Sequence, residues 1–222
     1  MHPFEQQPTV FGIIAVTCAV FLWQAAQGPQ GIHEYSLVPA QTEDAIYSLL
    51  QGEITASVVH ALSTTVTALF LHGSVEHLLM NMVFLWMFGS LVSRHLGKAW
   101  ALGLFFLCGI GGFVAHVLLN RGSPIPCIGA SGAVSGFEGV YLGLALRWQL
   151  GLADVWPLAR PIPPSQLVLY AGVGVCLDFW GMAQADMAIA YGAHIGGFVT
   201  GLTVSTLITQ FYWSENRWKR QR

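Results

Sequence analysis

Residues 99–119, AWALGLFFLCGIGGFVAHVLL, contain no Asp, Glu, Lys or Arg, and their reading decides the fold. As a helix, such a stretch is long enough to cross a hydrocarbon core of about 30 Å, which takes roughly 20 residues. In that core each backbone N–H and C=O must be satisfied within the segment, so a helix is the form expected. Five further stretches read the same way, at about 8–26, 75–93, 128–146, 165–184 and 187–211. The first and last of these also lack charged residues. The others carry Glu76 at a start, Glu138 in the body and Asp178 near an end.

The composition agrees. Of 222 residues, 54% are hydrophobic and 9% charged, and the mean hydropathy is +0.58. Soluble domains run near ~25% charged, so this chain lacks the polar surface to stay in water. A net charge of −2 without a basic stripe argues against a nucleic-acid partner. Cys18, Cys108, Cys127 and Cys176 have no metal-ligand spacing, and a disulfide framework is not expected. The N-terminus has neither a basic n-region nor an A-x-A-like site, so the first span reads as an anchor rather than a removable signal. The absence of an Arg-rich transit peptide favours a bacterial inner (cell) membrane.

Orientation follows from the basic residues. With six spans, one side holds Arg94, Lys98, Arg147, Arg160, Arg217, Lys219, Arg220 and Arg222, and the other holds Arg121 alone. The expectation is therefore an all-α membrane protein, one domain over 1–222. It is a six-helix bundle with both termini cytoplasmic and a basic tail at 212–222. The connection from about 27 to 74 then faces outward, with Glu34, Glu43, Asp44 and Glu53 but no Lys or Arg. It is too long for a simple turn. Its Ile46–Leu50 and Val58–Leu71 stretches suit short helices lying in the interface. The inner connection 149–164, with Pro157, Pro161, Pro163 and Pro164, suits an extended strap.

Polar residues inside oily spans point to function, because they are costly there. Ser131 is 16 residues from Arg147, His77 is 17 from Arg94, and His194 is 16 from Gln210. All three thus sit roughly 24–26 Å above the inner boundary, just below the outer surface. Ser131, within Gly129-Ala130-Ser131-Gly132, stands at a helix start, where unpaired N–H groups and the dipole suit an oxyanion. The glycines, Gly129 among them, let a carbonyl approach. The same small residues also serve helix packing. His194, beside a glycine face, can act as base for Ser131 or be a histidine bonded across an interface. His77 and Asn81 share a helix face, and suit either an oxyanion hole or interhelical bonding. His72, His77 and His95 lack compact ligand spacing, so no metal and no cofactor are expected. Glu138, two turns below Ser131 on the same face, reads as a packing or hydration residue.

These motifs resemble those of the rhomboid intramembrane serine proteases. H-xxxx-H-xxx-N of the family's second helix is matched by His72, His77 and Asn81. G-x-S-G of its fourth is matched by Gly129, Ser131 and Gly132, and A-H-x-x-G of its sixth by Ala193, His194 and Gly197 with its neighbour Gly196. The resemblance implies the basic six-helix form, with a catalytic dyad of Ser131 and His194. It implies oxyanion stabilisation by His77 and Asn81 with the backbone N–H of Ser131, and Gly129 is counted among the stabilising residues. It also implies transmembrane protein substrates reaching the site laterally from the lipid membrane, past the fifth helix. Two departures stand out. No Trp-Arg pair occurs between 27 and 74, and Ser135 stands where some bacterial members carry an aromatic residue that stacks on the histidine. Tyr191 is a candidate to orient His194 instead. Two other classes fit less well. A non-catalytic relative that binds membrane clients usually lacks the Ser or His, and a small transporter would show inverted repeats or broken helices near the midplane.

Overall fold

The computed structural model describes residues 7–148, 150, 163–183 and 190–216. Among these the chain is helical, with no strand and an isolated bridge between Leu37 and Cys127. Helices occupy all six expected stretches: α1 (Pro8–Gln27), α5 (Val75–Leu96), α6 (Lys98–Leu119), α7 (Ser131–Ala145), α8 (Pro164–Ala183) and α9 (Tyr191–Asn216). Among the described residues α1, α5 and α6 are long and apolar enough to cross a membrane. The connection between α1 and α5 folds into three short helices, α2 (Pro29–Tyr35), α3 (Pro39–Leu50) and α4 (Ala56–Thr67). Residues 128–130 lie outside the helix expected to contain them, so α7 begins at Ser131 itself. The last helix begins at Tyr191 rather than near 187 and continues past 211 to Asn216. Arg160, nearly all of the 149–164 strap and the basic residues from Arg217 onward lie outside the described residues.

Local chemistry explains the helix ends that matter. Proline at the first position opens α1 without a missing bond, because that N–H has no helical acceptor anyway. Ser74, in extended backbone, caps α5 by accepting from the N–H of His77 at 3.1 Å. Gly97, at φ 99°, is the lone residue between α5 and α6, a conformation that L side chains resist.

Three helices form the centre. The faces of α7 and α9 are stripped to backbone where they cross: a methyl on Gly197 would strike the carbonyl of Gly132, and one on Gly201 the carbonyl of Gly136. A methyl on Gly112 of α6 would lie 2.5 Å from the Ala193 carbonyl and 3.3 Å from Gly132 Cα. Small residues drive such contacts in lipid, where close backbone packing replaces a hydrophobic force between helices. Phe88, Phe105, Phe113, Phe137 and Tyr141 fill the remaining interior and are fully buried. Outside, Leu22, Leu102, Leu107, Val114, Leu118 and Val199 are exposed. Apolar surface this extensive is what a bilayer covers.

Candidate functional site

Ser131, His77, Asn81 and His194 come from three helices and line one cavity of about 850 Å3. The glycine crossing brings them there. Ser131 precedes Gly132 and His194 follows Ala193, and a methyl on Gly132 would lie 3.1 Å from the Ala193 carbonyl. The neighbours of the two side chains therefore touch through bare backbone.

On α5, Ser74 fixes the first turn, and the N–H of Gly73 donates to Nδ1 of His77 at 3.4 Å. In a neutral imidazole that leaves the proton on Nε2. The Nε2 edge lies over Gly129: a methyl there would be 2.9 Å from both Nε2 and Cε1 of His77, and 3.8 Å from Ser131 Oγ. The imidazole edge and the hydroxyl thus border one small space. Gly129 keeps that space open at φ 121°, while its own N–H donates to the Ala68 carbonyl at 2.8 Å. It supplies room rather than a donor. Asn81 spends one amide N–H on the His77 carbonyl at 3.0 Å, which leaves its second N–H for other acceptors. At the start of α7 the helical ladder begins with Val134 N–H donating to Ala130, and Ala130 offers no side-chain cap. The preceding N–H groups carry the positive end of the helix.

The surroundings hold these groups still. His72 is fully buried, and its ring meets that of His77 edge-on at 4.9 Å. Its Nδ1 donates to the Phe70 carbonyl at 3.3 Å. Burial foremost, then the neighbouring His77, pushes its pKa down to about 4, against an opposing pull from the Phe70 carbonyl. The backbone of His72 is gripped by Gln24 of α1: the Gln24 amide donates to the His72 carbonyl, and its oxygen accepts from the His72 N–H at 3.1 Å. The run-up to Ser131 is held from the connection between α1 and α5. Leu37 and Cys127 exchange backbone bonds of 3.1 and 2.7 Å, Ala40 N–H donates to Ser123 at 3.1 Å, and Gly122 N–H donates to a Glu43 carboxylate oxygen at 3.1 Å. The other Glu43 oxygen pairs with Arg121 at 3.4 Å. Burial pushes the Cys127 thiol up to about 12, so it sits there as an inert apolar group. This framework stands where the Trp-Arg pair is missing.

Tyr191 meets the His194 ring edge-on, with centroids 6.3 Å apart, while Ser135 lines the cavity as a small polar wall. His116 and Glu138 also line it. His116 had not been expected there. The Asn120 amide donates to its carbonyl at 2.9 Å and approaches its Nδ1 at 3.3 Å. This repeats the His77–Asn81 arrangement, and the shared His-xxx-Asn spacing was the signal in the sequence.

The family model of the Rhomboid domain matches residues 59–211. The rhomboid protease GlpG of Klebsiella pneumoniae subsp. pneumoniae is 26% identical over 91% of this chain and 63% of its own length. The rhomboid protease GluP of Bacillus subtilis is 37% identical over 61% of this chain and 24% of its own. RHOMBOID-like protein 4 of Arabidopsis thaliana is 32% identical over 63% of this chain and 32% of its own. The chain thus spans less than two thirds of the length of each of these relatives. With the family match over most of its length and an apolar helical exterior, the chain is an integral membrane protein and belongs to the rhomboid family.

Proposed function

We propose that the chain is an intramembrane serine endopeptidase that cleaves transmembrane segments of single-pass proteins near the outer face of a bacterial inner membrane. The observation that carries this reading is the common cavity of Ser131, His194, His77 and Asn81. Six spans with both termini cytoplasmic complete the topology. In support of it, Arg94 and Lys98 flank the α5–α6 turn and Arg147 follows α7, whereas Arg121 follows α6 at the end where Ser131 starts α7.

In this mechanism a substrate segment reaches the cavity sideways between α5 and α8, where Met80, Phe84 and Gly174 form the wall. Ser131 Oγ attacks the peptide carbonyl while His194 takes the hydroxyl proton. Charge moves to the carbonyl oxygen, which accepts from His77 Nε2–H, the second Asn81 N–H and N–H groups at the start of α7. As the C–N bond breaks, His194 passes the proton to the departing amine. Water from the outer side, deprotonated by His194, then attacks the acyl-enzyme, releasing the acid and restoring Ser131. Water is a reactant, which is why the site belongs near a surface rather than at mid-membrane.

The test is labelling by a serine-directed fluorophosphonate together with cleavage of a reporter transmembrane substrate in proteoliposomes. Wild type labels and cleaves; Ser131→Ala does neither, and His194→Ala loses cleavage while remaining folded. Wild type that neither labels nor cleaves, or full cleavage by both variants, would overturn the reading. The first result would leave a client-binding relative without chemistry.

A further inference from the structure

His116 lines the cavity with Ser131 and His194 and has no part in the steps described so far. It stands on α6 one turn after Gly112, on the same face. Gly112 marks the place where the backbones bearing Ser131 and His194 meet. A methyl on it would lie 2.5 Å from the carbonyl of Ala193, the residue before His194, and 3.3 Å from Cα of Gly132, the residue after Ser131. His116 is therefore about 6 Å along α6 from that crossing. Gly192 and Gly196, on either side of His194, face α6 at His116 and Ala115. A methyl on Gly192 would be 3.3 Å from His116 Cα and 3.6 Å from its Nδ1, so the ring lies against bare backbone. The Asn120 amide approaches the same nitrogen at 3.3 Å as a donor. In a neutral ring the proton then stands on Nε2. Asn120 and the exposed Arg121 follow His116, and Gly73, Ser74, Ile125 and Pro126 of the cavity wall are exposed. Water can enter at this end.

We propose that His116 holds the water that hydrolyses the acyl-enzyme, and so acts in the second half of the reaction alone. This rests on the proteolytic reading of the same cavity. His77 and Asn81 reach the cavity from α5 and serve the carbonyl oxygen, whereas His116 comes from α6, packed along the start of α9. The departing amine takes its proton from His194, so the water that replaces it must stand at the same imidazole. One of its hydrogens points to His194, one lone pair accepts from His116 Nε2–H, and the other lone pair faces the acyl carbon. Its proton passes to His194 as the new C–O bond forms. That proton goes on to Ser131 Oγ as the ester C–O bond breaks, and His116 keeps its own throughout. Two hydrogen bonds of fixed direction leave the water little freedom, which lowers the entropy cost of attack. Formation of the acyl-enzyme consumes no water and does not need His116.

The experiment uses the full chain in proteoliposomes with a saturating reporter segment, stopped by acid at steady state and read by intact mass. The ratio of acylated to unacylated protein then equals the acylation rate divided by the hydrolysis rate. His116→Leu and His116→Phe, two apolar replacements of different shape, raise that ratio about tenfold, the scale of one hydrogen bond. Their kcat/KM and their fluorophosphonate labelling rate stay at wild type, because both report steps before water attacks. His116→Gln, whose amide still donates, stays within about twofold of the wild-type ratio. A ratio unchanged in both apolar variants overturns the inference, as does a His116→Gln no better than His116→Leu. A fall of labelling or kcat/KM in both apolar variants also overturns it, since His116 would then act in folding or acylation. A wild type that cleaves no reporter and takes no label overturns the protease reading itself, and this inference with it.

Discussion

The backbone N–H of Gly73 donates to Nδ1 of His77 at 3.4 Å, and this contact decides which ring nitrogen presents a proton to the cavity. With Nδ1 an acceptor, Nε2–H faces the space bordered by Gly129 and Ser131. A glutamine amide can reach that place as a donor, whereas alanine cannot. His77→Ala should lower kcat about 10²–10³-fold, the cost of one oxyanion donor, with His77→Gln recovering part of it at unchanged KM. Single-turnover cleavage measures this. Equal losses in both variants would show that the ring does not act through Nε2–H.

Gly129→Ala puts a methyl 2.9 Å from the His77 ring at a backbone φ of 121°. Strain of about 1–2 kcal/mol and a displaced imidazole should follow. The expected result is a fluorophosphonate labelling rate reduced at least as far as in His77→Gln. Labelling at the wild-type rate would mean that the ring does not need this space.

Gly197→Ala aims a methyl at the Gly132 carbonyl in the α7–α9 crossing. Overpacking there should destabilise by roughly 1–3 kcal/mol and part Ser131 from His194. Thermal denaturation in detergent and labelling should fall together. Gly172→Ala on α8, where a methyl meets nothing within 4 Å, serves as the control.

His72 makes stability depend on pH. In the unfolded chain it takes up a proton near its ordinary value of 6.5, whereas the folded chain holds it neutral until about pH 4. Its contribution is therefore fully present above 6.5 and lost as pH falls toward 4, on the order of 2–3 kcal/mol. His72→Asn keeps a donor for the Phe70 carbonyl but cannot titrate. The denaturation temperature of wild type should fall between pH 6.5 and 4 more steeply than that of the variant. Parallel curves would assign the loss to other groups.

Glu43 holds the loop before Ser131 through Gly122 N–H and through Arg121. The Arg121 side chain is 75% exposed, so water screens the ion pair, which should contribute no more than about 1 kcal/mol. The bond to Gly122 is the stronger tie. Arg121→Gln and Glu43→Gln should remain near wild-type kcat, the latter because its amide oxygen still accepts. Glu43→Ala should lose severalfold. A larger loss in Arg121→Gln than in Glu43→Ala would reverse this ranking.

The sequence by itself determined that the chain is a helical membrane protein, and where its helices lie, because hydropathy and helical period are properties of neighbouring residues. It also determined which side chains share a face: His77 with Asn81, and Ser131 with Glu138, follow from spacing along one helix. The spans expected at 128–146 and 187–211 begin later, at Ser131 and Tyr191, since a helix start depends on what holds the preceding loop. That hold is tertiary. Gln24 grips His72 from 48 residues away and Glu43 grips Gly122 from 79, and no local pattern encodes such partners. The occupied N–H of Gly129 and the bare Gly174 wall facing Glu138 likewise exist only after the helices pack, whereas the proton position on His77 is set locally by Gly73, four residues away. Backbone contact at the glycines decides what each polar side chain can reach.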